Sequence, residues 1–321
     1  MSQPSPDTPA LTCTPKFLPH ALLDDAAQRA IEENPTNRPD VGAIARILPE
    51  SAPMKGFISV LTSKYWRTNG VRLTVDFMDN PPNDLRAKIL GHMNAWGTRC
   101  NVLFTESKTD PQVRISRAKG GYWSYLGTDI LSITHDQQTM NLEGFTMNTP
   151  DSEFYRVVRH ETGHTLGCPH EHMRADIVNL IDPAKAIAFF GQTQGWSADQ
   201  VRAQVLTPLD PKSVWGTVSS DRQSIMCYQL PGTITKDGKP ILGGLDIDQL
   251  DYDFMAKVYP KAVATHDAAS LAAAMSAPAA HLHHPSCPGC IDVTLRGGAR
   301  LSIPPETTEA QLRTVLCALA D

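Results

Sequence analysis

The chain lacks any long run of apolar residues. A membrane-spanning helix needs about 20 consecutive apolar residues, and no stretch of this 321-residue sequence approaches that length. The first residues, MSQPSPDTPALTCTPKFLP, have neither a basic start nor an apolar core, so they do not resemble a Sec signal peptide. The sequence therefore predicts no membrane span and leaves three options for location: the cytoplasm, export by a non-Sec route, or prior removal of a leader.

An excess of positive charge is also missing. The 29 Lys and Arg residues stand against 34 Asp and Glu, which gives a net charge of -5. Proteins bind nucleic acid largely through Lys and Arg side chains that neutralise phosphates. The charge balance therefore argues against nucleic acid as a partner.

Cysteine is too sparse for a disulfide-stabilised fold. Seven cysteines occur in 321 residues, an odd number without regular spacing, so we expect mostly free thiols. The one suggestive pair follows a histidine cluster near the end of the chain: His281, His283, His284, Cys287 and Cys290. Such a group can hold a structural zinc ion, which would be additional to any ion bound elsewhere in the chain. A solvated linker or a redox pair are the alternatives.

Composition and periodicity divide the chain into four parts and predict an α+β fold. Residues 1–53 are rich in proline with one short helix at 21–32, typical of a surface arm or of a segment that covers a cleft. Residues 54–260 form the main domain. Residues 261–290 are an Ala-rich linker, and residues 291–321 are a hairpin and a helix that can dock an unknown protein.

Within the main domain, short strands are predicted mostly before the helices. The predicted strands are 71–77, 101–104, 112–116 and 129–134, and the predicted helices start near 83 and cover 152–166, 183–190, 198–206 and 248–258.

Residues 160–170, HETGHTLGCPH, carry the strongest chemical signal. His160 and His164 are four residues apart on a predicted helix, so both imidazoles lie on one face about 5.4 Å apart along the axis. Both can reach one zinc ion at about 2.0–2.1 Å. Gly167 lets the chain leave the helix through a left-handed residue and bring His170 to the same ion.

Three neutral histidines leave the fourth position of a tetrahedral zinc ion open to water, which is the catalytic arrangement. Zinc lowers the pKa of bound water to about 7. Glu161, beside the first ligand, is placed to accept a proton from that water. The residues therefore predict a zinc-dependent hydrolase with Glu161 as its general base.

The motif and its surroundings resemble the astacin branch of the metzincin zinc peptidases. HETGHTLGCPH matches the metzincin motif, and the continuation HEHMRAD at 170–176 is similar to astacins, in which Glu follows the third histidine. SIMCY at 224–228 resembles the astacin Met-turn, Ser-x-Met-His-Tyr. GYWSYLGTD at 121–129 and LDIDQLDYDFMAKVYP at 245–260 resemble bacterial members. The similarity covers about residues 64–260 and neither end.

This resemblance implies a metzincin-like fold of two subdomains, with a twisted mixed sheet and the active-site helix on one side of a cleft and the Met-turn on the other. It implies a zinc endopeptidase that acts on polypeptides, in which His160, His164 and His170 bind zinc. Met226 would lie beneath the metal, and Tyr228 would donate to the oxyanion, as a phenol aimed at developing negative charge can do.

The resemblance also implies a substrate-binding rim. Trp123, Ser124 and Tyr125 lie on the segment that pairs with the substrate backbone in metzincins, although each side chain can instead pack on the helix. Glu171 corresponds to the glutamate that pairs with a newly made N-terminus in processed astacins, and an ion pair with Arg174 is the alternative.

Several positions depart from the family pattern. Cys227 replaces the Met-turn histidine, and Cys168 stands where an aromatic residue is common. The sequence leaves two alternatives for this pair, a disulfide between them or two free thiols. No family leader that supplies an aspartate to zinc is recognisable. Cys13 can block zinc as a thiolate, a strong zinc ligand, or can be incidental.

Two other functions stay open at this point. One is an effector protease that acts on a specific host or competitor protein after delivery without a Sec leader. The other is a zinc-containing peptide-binding protein with little turnover, against which the intact Glu161 argues.

Overall fold

The computed structural model describes residues 13–14, 16–39, 62–208, 221–227, 229–261, 291–294 and 300–303, the last two stretches and residues 203–204 by backbone alone. The chain divides into two compact units, Met1–Val263 and Ala264–Asp321. None of the described helices combines the length and the apolar character needed to span a bilayer.

The described part of the first unit has five strands and seven α-helices. The strands are β1 (Val71–Phe77), β2 (Val102–Glu106), β3 (Val113–Ser116), β4 (Tyr122–Ser124) and β5 (Met140–Leu142). The helices are α1 (Leu23–Glu33), α2 (Asn83–Met93), α3 (Asp151–Glu153, a π-helical turn at Phe154–Val158, and Arg159–Thr165), α4 (Ala175–Val178), α5 (Pro183–Gln194), α6 (Ala198–Val201, continued by a π-helical turn at Arg202–Leu206) and α7 (Gln249–Val258). Short 3-10 helices lie at His20–Leu22, Pro35–Asn37, Asn94–Thr98, Gly127–Ser132, Glu171–Met173 and Gly232–Ile234.

The five strands form one mixed sheet in the order β2-β1-β3-β5-β4. β1 pairs in parallel with β2 and β3, and β3 pairs in parallel with β5. β4 is antiparallel to β5 and forms one edge of the sheet. This mixed sheet with its helices is the metzincin-like α+β fold that the sequence predicts.

Helix α3 is buried against the sheet because the apolar residues of several elements meet on it. Alternate residues of β1, from Val71 to Phe77, point into the core, as their spacing predicts. Ile89 and Met93 of α2 are fully buried in the same cluster as Phe154 and Val158 of α3. Burial on both sides holds α3 in a fixed position under the sheet.

The strand predicted at 129–134 is wrong: a 3-10 helix occupies Gly127–Ser132, and the fifth strand is Met140–Leu142 instead. The buried guanidinium of Arg114 donates to the carbonyl oxygens of Ile133 at 3.0 Å, Thr134 at 3.2 Å and Gln137 at 2.7 Å. These carbonyls therefore do not join the sheet ladder.

The N-terminal residues 16–39 pack against the main domain. Helix α1 buries Ala26, Ala27 and Ala30, and it lies against the 3-10 helix Gly127–Ser132. The side chain of Asn37 donates to the carbonyl of Tyr65 at 2.7 Å and accepts from its N–H at 3.0 Å. This part of the predicted arm is therefore built into the fold of the first unit.

Helices α5, α6 and α7 form with the N-terminal signals that their sequences contain. Asp182 caps α5 by accepting from Ala184 and Lys185. Ser197 and Asp248 each form a reciprocal capping box at the start of α6 and α7. Helices α5 and α6 surround a second apolar cluster that includes Phe190, Val201 and Cys227.

In the second unit the described residues form two antiparallel strands, β6 (Ile291–Thr294) and β7 (Arg300–Ile303). The histidine-cysteine cluster of the tail and the predicted final helix lie outside the described residues.

Candidate active site

Helix α3 carries His160, Glu161 and His164 on a segment held by hydrogen bonds at both ends. The indole of Trp96 donates to the carbonyl of Arg159 at 2.9 Å, and the indole of Trp66 donates to that of Thr165 at 2.8 Å. Because both tryptophans are buried in the core, the helix segment between them is fixed in place.

Gly167 ends the helix and redirects the chain. Its φ of +97° lies in the left-handed region that favours glycine, and a Cβ at this position would lie 2.9 Å from the ring of Tyr65. The Gly167 N–H donates to the carbonyl of His164 at 2.8 Å. The reversal brings His170 back to the helix, as the spacing of the motif predicts.

The three imidazoles converge on one point. His170 Nε2 lies 3.1 Å from His160 Nε2 and 3.0 Å from His164 Nε2. Nitrogens about 2.0–2.1 Å from a tetrahedral zinc ion lie roughly 3.4 Å from one another. The donor atoms therefore fit a zinc ion after shifts of a few tenths of an ångström.

The outer ring nitrogens of two of these histidines are already bonded. Nδ1 of His160 lies 2.6 Å from the carbonyl oxygen of Ile225, and Nδ1 of His164 lies 2.8 Å from that of Cys168. A carbonyl accepts only from a protonated nitrogen, so each Nδ1 carries the hydrogen and each Nε2 presents a lone pair. Such outer bonds orient metal-binding histidines.

The electrostatic surroundings favour neutral imidazoles. Burial, followed by the charge of neighbouring histidines, lowers the pKa of His160 and His170 well below the usual value. Burial lowers the pKa of His164 to about 4. At neutral pH the rings are therefore unprotonated, which is the form that binds a metal.

The carboxylate of Glu161 lies beside this cluster. Its side chain is buried, and burial raises its pKa to about 8. Without a cation beside it such a group is largely protonated at neutral pH, and the charge of a metal ion at the histidine cluster would lower its pKa again.

Cys13 completes the cluster from the N-terminal segment. Its Sγ lies 3.4 Å from His164 Nε2 and 3.5 Å from Glu161 Oε2. Together with the three histidines, Cys13 offers four buried ligand atoms within 4.8 Å of one another. Of the two options for Cys13, the geometry places it at the metal site.

The residues around Cys13 lie along the sheet edge. Cys13 forms a parallel bridge with Tyr122 of β4, and the N–H of Thr14 donates to the Tyr122 carbonyl at 2.8 Å. The Lys16 ammonium lies 4.7 Å from the ring centroid of Trp123. Among the described residues a cavity of about 30 Å³ lies next to Cys13 and Glu161, and it holds roughly one water molecule.

The Met-turn lies directly against α3. Met226 is buried, and a Cβ at Gly163 would collide with its Sδ. The same Cβ would lie 3.2 Å from Met226 Cε and 3.3 Å from the Trp96 ring. Glycine at this position therefore allows the helix and the turn to approach closely. Tyr228, which the resemblance assigns to the oxyanion, lies outside the described residues.

The predicted rim residues lie on or next to the edge strand β4 with different surroundings. Ser124 is buried, and its hydroxyl lies 3.0 Å from that of Thr165 on α3. Trp123 packs edge-on against the half-buried Tyr125. Ser124 thus contacts the helix, whereas the backbone of β4 faces the N-terminal segment.

Glu171 and the two nearby cysteines also have defined surroundings. Glu171 Oε1 lies 3.3 Å from Arg174 Nε and accepts from the N–H of Asp221 at 3.1 Å. Burial raises the pKa of Glu171 to about 7. Cys168 and Cys227 are both buried and form no disulfide with each other.

Two groups at this site were not singled out by the sequence. Asp251 of α7 accepts from Ser224 and Ile225 of the Met-turn, and Arg156 lines the small cavity one helical turn before His160. The role of Asp251 has no local sequence signal, because its partners lie about 26 residues away on the Met-turn.

A metzincin-type zinc metallopeptidase domain is the class of protein that this fold and site define. The model of the Astacin peptidase family matches residues 60–232, more than half of the chain. A solved structure of myroilysin is 30% identical with a TM-score of 0.58, and the similarity covers 62% of this chain and 97% of that one. The chain belongs to the astacin family, whose catalytic ion is zinc.

Two further relatives were found. Zinc metalloproteinase nas-27 of Caenorhabditis elegans is 29% identical over 114 residues, which are 35% of this chain and 24% of the worm protein. The match thus spans about a quarter of that relative's length (24%). A second structure of myroilysin is 31% identical over 62% of this chain and 87% of that chain, with a TM-score of 0.49.

Proposed function

We propose that the protein is a zinc-dependent endopeptidase that its own N-terminal segment holds in a latent state. The observation that carries this proposal is the convergence of three histidine nitrogens and the Cys13 sulfur on one point, with the Glu161 carboxylate 3.5 Å from that sulfur. His160, His164 and His170 would hold the zinc ion. The domain boundaries at 53/54 and 260/261, the location and the docking role of the tail stay predictions.

The proposed chemistry is peptide hydrolysis with Glu161 as the base. Zinc would supply a Lewis acid that makes water a nucleophile at neutral pH. Glu161 accepts the proton of the attacking water and returns it to the nitrogen of the leaving amine. The buried position of Glu161 beside the histidine cluster supports this role, and the charge of a zinc ion there would lower its raised pKa so that the carboxylate can accept a proton at neutral pH. The resemblance adds Tyr228 as a donor to the oxyanion.

The substrate would be an extended polypeptide along β4. An edge strand can accept a peptide as an additional strand through main-chain hydrogen bonds. The Tyr122 carbonyl already accepts such a bond from Thr14. Substrate backbone would replace residues 13–14 at this edge, with Trp123, Ser124 and Tyr125 as the proposed rim.

Latency would follow from the position of Cys13. A thiolate is a strong zinc ligand, and a fourth protein ligand closes the coordination site that a catalytic zinc keeps open. The same residue fills the cleft beside β4, so one segment would block both the metal and the substrate path. Activity would require that Cys13 and Thr14 leave the cleft.

The set of four protein ligands also favours a second candidate function, a zinc-containing peptide-binding protein with little turnover. Four protein ligands are typical of structural zinc sites. Against this alternative, a structural site has no need of the Glu161 carboxylate beside the fourth ligand, Cys13. The effector protease considered above shares the chemistry of the first proposal and differs only in its target.

The decisive experiment compares full-length wild type, Cys13→Ser, the double variant Cys13→Ser with Glu161→Ala, and Cys100→Ala. Cys100 is buried and free, but it lies outside the metal cluster, so its variant is the control for loss of a thiol. Zinc content and digestion of a peptide library are measured for each protein. Deletion of residues 1–16 should act like Cys13→Ser.

We expect one zinc ion per chain in all four proteins. Cys13→Ser should cleave at least about 10-fold faster than wild type and Cys100→Ala at the wild-type rate, because only Cys13 touches the cluster. Adding Glu161→Ala should lower the rate by about 10²–10⁴. A zinc-loaded Cys13→Ser protein that cleaves no peptide would favour the binding protein, and undiminished cleavage by the double variant would exclude Glu161 as the base.

A further inference from the structure

One buried carboxylate fastens the Met-turn to the last helix of the first unit. Asp251 Oδ1 accepts from the hydroxyl of Ser224 at 2.6 Å. Asp251 Oδ2 accepts from the N–H of Ile225 at 2.9 Å and from the N–H of Asp248 at 3.1 Å. Asp251 is 8% exposed, so these bonds are shielded from water.

The turn that Asp251 holds leads directly to the metal cluster. The Ser224 hydroxyl, besides donating to Asp251, accepts from the N–H of Met226 at 3.0 Å. The Ile225 carbonyl lies 2.6 Å from Nδ1 of His160. The group that orients His160 thus belongs to the residue whose N–H Asp251 fixes.

Two glycines of the same chain pack closely against the Met-turn. Cβ atoms on Gly163 and on Gly244 would collide with Met226 and with the backbone of Ile225, respectively. The turn is therefore packed between Gly163 and Gly244. The N–H of Glu171 donates to the Met226 carbonyl at 2.9 Å, and Asp251 accepts from the two preceding residues, Ser224 and Ile225.

The chemistry of this junction calls for an ionised carboxylate. Three donors point at the two oxygens of Asp251, and a carboxylate has about four lone pairs to accept them. Burial raises the pKa of Asp251 to about 6, which still leaves the group ionised at neutral pH. An asparagine would keep one acceptor oxygen and place an NH₂ group where a donor now points.

We propose that Asp251 is a positioning residue for the metal site: through Ser224 and Ile225 it sets the orientation of His160, and thereby the affinity and geometry with which the histidines bind zinc. The proposal rests on the proposed function only in taking the three histidines as zinc ligands. Hydrogen-bond partners of metal-binding histidines commonly change metal affinity by about 10-fold to 100-fold when they are lost.

The test uses full-length Cys13→Ser protein as the parent, with Asp251→Asn and Ser224→Ala as variants. Asp253→Asn is the control, because Asp253 is an exposed carboxylate on the same helix and accepts from the side chain of Gln249. Zinc affinity is measured by competition with a chelator, the site geometry by the visible spectrum of Co²⁺-substituted protein, and kcat and KM on a cleaved peptide.

We expect Asp251→Asn to bind zinc about 10-fold to 100-fold more weakly, to change the Co²⁺ spectrum, and to lower kcat more than it raises KM. Ser224→Ala should show a smaller loss in the same direction, and Asp253→Asn should match the parent. If Asp251→Asn does not fold, Ser224→Ala decides by the same readouts.

Parental zinc affinity and an unchanged Co²⁺ spectrum in the folded variants would overturn the proposal. Because metal affinity does not depend on turnover, this result is distinct from failure of the proposed function. A parent that binds zinc but cleaves nothing would refute the peptidase and leave the role of Asp251 to be judged by zinc affinity and the Co²⁺ spectrum.

Discussion

Gly163→Ala tests whether close contact between α3 and the Met-turn stabilises the site. The added methyl group would collide with Met226 Sδ and lie 3.3 Å from the Trp96 ring. Met226 and Trp96 are 4% and 1% exposed, so neither can move without disturbing the core. Overpacking of this kind costs about 1–3 kcal/mol, whereas replacing a helical glycine by alanine gains about 0.5–1 kcal/mol.

The balance of these two effects is a loss of about 0–2.5 kcal/mol in the free energy of unfolding, centred near about 1 kcal/mol. Gly91→Ala is the matched control, because Gly91 lies in helix α2 and its added Cβ would contact nothing within 4 Å. The control should gain about 0.5–1 kcal/mol. Urea unfolding followed by circular dichroism measures both values.

A double-mutant cycle with Met226→Ala isolates the contact itself. In the Met226→Ala background the colliding sulfur is gone, so Gly163→Ala should cost at least about 1 kcal/mol less than in the wild type. An equal cost in both backgrounds would refute the close contact. The close contact would also be refuted if Gly163→Ala, introduced into the wild type, stabilised the protein as much as Gly91→Ala does.

Two further predictions concern the N-terminal segment and the oxyanion. Asn37→Ala leaves the N–H and carbonyl of Tyr65 without their buried partner, so it should lower the free energy of unfolding by about 2–4 kcal/mol. Urea unfolding measures this loss, and Asn148→Ala, at an exposed position, is the control that should show none. Equal stability of the two variants would show that the N-terminal segment contributes little. Tyr228→Phe in Cys13→Ser protein should lower kcat more than it changes KM in peptide cleavage, and an unchanged kcat would remove Tyr228 from catalysis.

The structure departs from the sequence-based predictions where distant segments meet. The residues around 129–134 alternate like a strand, but the buried Arg114 guanidinium binds the carbonyls of this segment and the ladder forms at Met140–Leu142 instead. Local patterns do not record which distant side chain takes a backbone acceptor, so this difference was not predictable from periodicity.

Cys13 illustrates the same limit at the site. Nothing in LTCTPKFLP distinguishes a metal-binding cysteine from an incidental one, and Cys13 precedes His160 by 147 positions. Its position follows from the bridge to Tyr122 and from the docking of residues 16–39 through helix α1 and Asn37. The role of Asp251 is not predicted by the sequence for the same reason, since its partners lie on the distant Met-turn.

The sequence alone determined the candidate metal ligands, the base and the class of fold, because HETGHTLGCPH places its donors by helical periodicity and one glycine reversal within eleven residues. The tertiary structure decided what surrounds that cluster: the cysteine that closes it, the carboxylate that holds the turn beneath it, and the edge strand beside it. Short-range geometry follows from covalent spacing and backbone dihedral preferences, whereas contacts between remote segments depend on how the whole core packs.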